Sequence, residues 1–316
     1  MKIALLIKRL TRGDSMRLQN LVSQAKNQQE KPVIAVAEAG DQEVLESILK
    51  SYKEGLAHFI LFGDGNKISD WLERNADVSL DGIKVVPTDT ASAALKAVRA
   101  VHDGDADILM KGLISTSALL KAVLNKEFGL RTGKVLSHVA AFEVEGFEKL
   151  IFVTDAAMNI EPDLNQKVQI LQNAIDFAVR TGVEVPKAAV LAAVENVNPA
   201  MQATLDAASL MVMNLRNQIQ GGIVEGPLAL DNAISKEAAA HKGITGSVAG
   251  NADILLVPNI ETGNVLYKSL IYFARAKVGA VICGAKAPIV LTSRADSAES
   301  KYYSIALAVN SVITDN

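Results

Sequence analysis

The sequence predicts an α/β protein whose sheet is mainly parallel and covered by helices on both faces, and three observations carry that expectation. Apolar runs of strand length alternate with segments of helix length from Pro32 to Gly129. Those runs are close to continuously apolar rather than alternating, as strands buried on both faces are. Aromatic residues are only 4% against 49% hydrophobic residues overall, so the core is built from Ala, Val, Leu and Ile.

The elements follow in chain order. Leu10, Met16, Leu18, Leu21, Val22 and Ala25, set among charges and glutamines, predict an amphipathic helix within 10–30 that Pro32 ends. PVIAVAEA is a buried strand. GDQEVLESILKSYKEGL is a helix with Asp41 as N-cap and Val44, Leu45, Ile48 and Leu49 on one face. FILFGD is a strand, NKISDWLERN a short helix, and IKVVPTD a strand whose end offers Thr88 or Asp89 to cap TASAALKAVRAVHDG. ADILMKGL and STSALLKAVLNKEFGL complete this run as strand and helix.

The rhythm then changes. LSHVAAFEVEGFEKLIFVTDAA holds two strands joined around Glu145 and Gly146 without a helix, which makes their pairing antiparallel. A domain transition is placed at Ser137 and His138. Beyond it come the helix PDLNQKVQILQNAIDFAVRTGV with Pro162 in its first turn, the strand KAAVLAAVE, the helix PAMQATLDAASLMVMNLR and the strand GGIVEGPLALD. KEAAAHKGITGSVAGNA is punctuated by glycine and shows little period. ILLVP, GAVICGA and APIVLT are the last strands, with the helix NVLYKSLIYFARAK among them. The expected division is a first α/β domain of residues 1–137 plus 286–316 and a second of 138–285, the chain crossing twice.

The totals restrict function. With 316 residues the chain suits two domains of ordinary size or one large one. Its 32 basic and 35 acidic residues give a net charge of −3, which does not ask for nucleic acid. One cysteine, Cys283, forms no internal disulfide, and a reduced cytoplasmic setting is expected. The run IALLI in MKIALLIKRLTR is too short for a signal-peptide core, and no segment approaches the ~20 apolar residues that span a bilayer.

Several familiar chemistries are missing from the text. There is no GxGxxG after the first strand, no GxxxxGK[ST], no GxSxG and no HExxH. His58, His102, His138 and His241 lie far apart without metal spacing, so no metal site is expected. His138 is the one that stands at the domain transition.

The candidates that remain sit at strand–helix junctions, where unpaired N–H groups and the helix dipole favour anions. MKGLISTS brings Lys111 to a strand end and Ser115, Thr116 and Ser117 to a helix start, either as caps or as a phosphate or carbonyl site. EGPLALD places Glu225 and Asp231 beside glycine and proline, where turn chemistry accounts for them equally well. In NIETGN, Thr262 is a possible cap, Gly263 permits close backbone approach, Asn264 follows, and Lys268 lies one turn on. TSRADS is the sharpest: Ser293 and Arg294 end an aliphatic strand just before a helix starting at Asp296 or Ser297. Asp296 with Glu299 also reads as a capping box. Arg294 cannot cap an N-terminus, and binding an anion is the reason for its place.

TSRADSAESK, EGPLALD, GSVAGNADILLVPNIETGNVLYKSL and MKGLISTSALL, in that chain, resemble the phosphate acetyl/butyryltransferase family, closest to its butyryltransferase branch. The resemblance runs from about Pro32 onward and is most specific from Glu225 to Lys301. It implies a two-domain α/β/α fold like the isocitrate and isopropylmalate dehydrogenases, with an interdomain cleft and a homodimer or higher assembly built through the second domain. It implies reversible acyl transfer, acyl-CoA plus phosphate giving acyl phosphate plus CoA, with no cofactor beyond CoA as substrate. On that reading Arg294 binds phosphate, helped by Thr262, Gly263 and Asn264, and Ser293 donates to the developing oxyanion or thiolate. Lys111, Ser115, Thr116 and Lys268 face the same cleft, and Arg131 and His138 are candidates for CoA contacts. In the acetyl branch a carboxylate after the Ser-Arg pair serves as base. Here the tract reads SRADSAES, so Asp296 or Glu299 takes that role, or neither does.

The rivals are phosphate acetyltransferase specificity, a dehydrogenase of similar fold, acyl transfer to a carrier protein, and a non-catalytic regulator that binds CoA or acyl phosphate. Arg294→Ala is expected to raise KM for phosphate strongly and Ser293→Ala mainly to lower kcat. Unchanged steady-state kinetics in both would remove the TSR tract from the site.

Overall fold

The structure, a computed structural model, describes residues 16–292 and 296–312. Among the described residues eleven strands form one sheet: β1 (Val33–Ala37), β2 (His58–Gly63), β3 (Ile83–Pro87), β4 (Ile108–Lys111), β5 (Ser137–Glu143), β6 (Ile151–Thr154), β7 (Lys187–Leu191), β8 (Ile223–Leu228), β9 (Ile254–Leu256), β10 (Lys277–Cys283) and β11 (Ile289–Val290). The helices are α1 (Leu18–Lys26), α2 (Gln42–Lys53), α3 (Gly65–Asn75), α4 (Thr90–His102), α5 (Thr116–Val123), α6 (Leu164–Arg180), α7 (Gln202–Leu215), α8 (Leu230–Ile234), α9 (Lys236–His241), α10 (Ile260–Tyr272) and α11 (Ala298–Ser311).

The strand order is β3-β2-β1-β4-β11-β10-β5-β6-β9-β7-β8. Each wing of the sheet is parallel, as the helical crossovers require. The centre is antiparallel. β5 and β6 pair as the direct connection through Gly146 (φ 85°) demands, and β10 runs against both β5 and β11. Seven register pairs join β10 to β5, and one, Ile282 with Ile289, joins it to β11.

Side chains on successive strand residues point to opposite faces, and this sorts the core. Ile34, Val36, Met110, Val139, Phe152, Ile254 and Val281 belong to one apolar cluster that crosses the whole sheet under α1, α2, α3, α6, α7 and α11. On the other face the core is in two pieces. Ala35, Ala37, Leu109, Ile282 and Ile289 pack under α4 and α5, whereas Ala140, Phe142, Val153 and Leu255 pack under the second wing's helices. The gap between those two pieces is where a cleft can open.

Several caps differ from expectation. Asp41 and Asp89 cap α2 and α4 as the sequence indicates. Pro162 precedes the N-cap Asp163 rather than lying in the first turn of α6. Asn259, not Thr262, caps α10, its side chain accepting from Thr262 N at 3.0 Å. Ser297, not Asp296, caps α11 and accepts from Ser300 N at 3.2 Å. A small polar side chain near the expected cap, three residues before Thr262 and one after Asp296, wins in these two helices because its backbone holds the extended geometry the cap needs. The segment after Leu228 folds into α8 and α9, too short to show a period. Of APIVLT only Ile289 and Val290 are strand.

Gly279 lets α11 lie directly on β10: a Cβ there would fall 2.6 Å from Leu307 Cδ1 and 2.8 Å from the Tyr303 carbonyl carbon. Gly279→Ala therefore should destabilise the fold by about 1–3 kcal/mol through overpacking. An unchanged midpoint in urea unfolding would contradict this packing.

Candidate active site

A cavity of about 920 Å³ occupies the gap between the two pieces of core. Its floor is the end of β4 and the start of β5, and its walls come from α5, α10, the start of β10 and the N-terminal turn of α11. Lys111, Ser115, Thr116, His138, Asn264, Lys268, Asp296 and Glu299 all line it. Residues from four separate stretches of sequence thus meet in one place. Ser293 and Arg294 lie outside the described residues. Thr262 and Gly263 are absent from the lining, and so is Arg131; next to it, Thr132 and Lys134 border a second cavity of about 520 Å³ at the opposite ends of β4, β10 and β11.

Lys111 is buried at the end of β4, and its Nζ donates to the carbonyls of Gly112 at 3.3 Å and Thr292 at 3.4 Å. The two carbonyl acceptors offset part of the cost of burying an amine at the cavity floor. Ser115 caps α5, accepting from Ala118 N at 3.2 Å, so the first turn of that helix points its N–H groups into the same space.

Thr262 and Gly263 serve the site from behind. The Thr262 hydroxyl donates to Asn259 at 2.7 Å and closes the cap. Gly263 seats α10 against the chain after β6: a Cβ would come within 2.7 Å of the Asp155 carbonyl oxygen and 2.8 Å of Ala156 Cα. That close approach brings Asn264, Tyr267 and Lys268 to the cavity wall.

The carboxylates behave differently from one another. Asp155 is buried and satisfied, accepting from Ala157 N and Met158 N at 2.9 Å each and from Asn159 Nδ2 at 2.5 Å. Glu299 is half-exposed, accepts from the Tyr303 hydroxyl at 3.2 Å and lies 3.9 Å from Lys277 Nζ. The backbone carbonyl of Asp296 accepts from Lys301 Nζ.

His138 points from β5 to the interrupted face, since its neighbour Val139 belongs to the continuous core. It is only 5% exposed, and its Nδ1 has no hydrogen-bond partner among the described residues. Burial holds its pKa below the usual value, against the opposing charges of Asp155 and Asp296. Tyr267 stacks edge-on to it with ring centroids 5.9 Å apart, and burial, then the charge of Asp296, raises the phenol's pKa so that it stays neutral.

Sequence reading missed Tyr267, Tyr272, Arg275, Lys277, Ser297 and Ser300, all of which line the cavity. Arg275 follows α10 in a short connection, and Lys277 is the first residue of β10. Their signal was the basic run KSLIYFARAK itself.

Cys283 stands at the far end of β10, in the wall of the second cavity. Burial pushes its thiol up to about 12, so it is not a thiolate near neutrality. Cys283→Ala should keep full activity, and complete loss in a folded variant, checked by circular dichroism, would assign it a covalent role.

The phosphate acetyl/butaryl transferase family model matches residues 16–94 and 87–309. A probable phosphate butyryltransferase of Bacillus subtilis is 56% identical over 295 residues, 93% of this chain and 97% of that one. The phosphate butyryltransferase of Clostridium acetobutylicum is 53% identical over 276 residues, 87% and 91% of the two chains. Among solved structures, a branched-chain phosphotransacylase from Enterococcus faecalis superposes with a TM-score of 0.78 at 40% identity, over 89% of this chain and 99% of that one. With matches of that extent on both measures, this chain belongs to the phosphate acetyl/butaryl transferase family.

Proposed function

We infer that this protein transfers a short acyl group reversibly between coenzyme A and phosphate, with butyryl or a branched short acyl group as the preferred cargo. The observation that carries the reading is the division of the cavity wall. Lys111, Lys268, Arg275 and Lys277 supply cations, while Ile114, Ala156, Ala157, Ile271 and Leu291 supply an apolar surface. Phosphate and the nucleotide end of CoA need the first, and a short aliphatic chain needs the second.

In this reading Arg294 and Lys111 hold the phosphoryl group, with Ser115, Thr116 and Asn264 donating to its oxygens. Ser293 steadies charge on the carbonyl oxygen as the tetrahedral intermediate forms. Lys268, Arg275 and Lys277 take the phosphates of CoA. Phosphate attacks the thioester carbon directly in a ternary complex, and coenzyme A is a substrate rather than a resident cofactor. Holding both reactants in one cleft supplies most of the rate, since it turns a bimolecular encounter into an intramolecular one.

The finer architecture belongs to the same reading. Residues 1–137 with 286–316 form one domain and 138–285 the other, in the manner of the isocitrate and isopropylmalate dehydrogenases. The return of the chain supports this: β11 lies beside β4 and α11 packs on α2. A second copy covers the outer flank of α10, where Val265 and Phe273 are exposed, giving a homodimer or larger assembly. No helix among the described residues is long and apolar enough to cross a membrane, in keeping with a cytoplasmic enzyme.

The deciding experiment follows free thiol from butyryl-CoA with and without phosphate. Release that depends on phosphate, with acetyl-CoA turned over more slowly than butyryl- or isobutyryl-CoA, is the expected outcome. Release independent of phosphate, or none, would refute the assignment. One methylene discriminates by about 1–3 kcal/mol, so a preference of roughly tenfold or more between acetyl and butyryl is expected.

A further inference from the structure

The acyl transfer proposed above leaves one proton without an owner. In the direction of acyl-CoA synthesis the thiol of CoA must be deprotonated before sulfur can attack. We propose that His138 is the general base for this step, taking the thiol proton on Nε2. The inference rests on the transferase reading. The S–H bond breaks and an N–H bond forms; the sulfur electron pair makes the new C–S bond; the C–O bond to phosphate breaks and its pair leaves on the phosphate. In reverse, phosphate oxygen attacks the thioester, the C–S bond breaks, and the imidazolium returns the proton to the departing sulfur.

Position is the first support. His138 lies on the cavity floor, on the strand face where the core is interrupted, and shares the cavity with Lys111 at the end of β4 and Lys268 on α10. Its ring is nearly enclosed, and Nδ1 is sealed inside without a partner among the described residues, so Nε2 is the nitrogen through which the ring meets a ligand. A buried polar atom without a partner costs about 1–3 kcal/mol, which a packing role alone does not repay. The step uses the tautomer that carries its proton on Nδ1.

The surroundings suit a base. Asp155 after β6 and Asp296 before α11 place negative charge toward the ring, which favours the imidazolium once it forms, while Tyr267 on α10 covers it with a neutral phenol. On β10 the residue opposite is the apolar Ile282. Burial lowers the pKa, so the imidazole is neutral and ready to accept a proton at neutral pH. The carboxylates are poorer choices. An ordinary carboxylate titrates near ~4, more than four units below a thiol at ~8.5, whereas imidazole closes that gap by about two units. Glu299 is further committed to Tyr303 and Lys277.

The test uses His138→Asn and His138→Gln, with acyl phosphate and CoA as substrates and calorimetry for CoA binding. A general base contributes about 100-fold or more, so kcat should fall by at least that factor in both variants while Kd for CoA stays within about threefold. A kcat within about threefold of wild type, or a loss matched by an equal loss of CoA affinity, overturns the assignment in favour of no role or a binding role. Should neither variant fold, the wild-type pH profile decides. His138 must be neutral to act, so kcat/KM for CoA should rise with pH along an acid limb whose midpoint lies below about 6.5. A profile with no acid limb down to the pH at which the enzyme unfolds overturns the proposal. A wild type that makes no acyl-CoA refutes the transferase reading and the base with it; an active wild type with unaffected variants refutes the base alone.

Discussion

A sheet continuous on one face and interrupted on the other is the constraint on which everything else in this molecule depends. The cluster that includes Ile34, Val139, Phe152 and Val281 spans all of the central strands and holds the two parallel wings as one object. At roughly 25 cal/mol per Å² of apolar surface, that face carries the bulk of the stabilisation. The other face is thereby released from the need to be filled. Its two smaller clusters stop short of each other, and the residues at their margins, Lys111, His138 and Tyr267, are free to be chosen for chemistry.

Electrostatics follows from that geometry. Lys111, Lys268 and Lys277 reach the cavity from β4, α10 and β10, and the lining carboxylates Asp296 and Glu299 come from the N-terminal end of α11. No single element carries both signs at the site, so the field across it is set by how the elements pack. Gly263 is central here because it brings α10 against the Asp155 backbone, and the helix could not deliver Lys268 to the cavity from further off.

Much of the fold was legible in the sequence because its signals are local. Continuous apolar runs gave the strands, Asp41 and Asp89 gave caps, and the direct link through Gly146 gave the antiparallel pair. What escaped was also local but decided by competition. Asn259 and Thr262, or Asp296 and Ser297, are equally good caps as letters, and only the backbone chooses. Within the site, Lys111, Ser115, Thr116, Asn264 and Lys268 were readable because they sit at strand–helix junctions. Arg275 and Lys277 were not, because a short connection and the first residue of a strand carry no periodicity. The partnerless Nδ1 of His138 had no signature at all, since an unmade hydrogen bond is a property of the packed interior.

The junctions on either side of β10 are very unequal, seven register pairs toward β5 and one toward β11. Tension across the sheet would therefore part it at Ile282 and Ile289 first, leaving two separately bonded plates. The helices α11 and α1 would still bridge them, α11 lying on β10 with its other side against α2, and α1 donating from Leu18 N to Glu143 of β5. Such a sheet is mechanically a pair of leaves joined by one narrow rung and two helical straps, and the cavity sits along the line where the leaves would part.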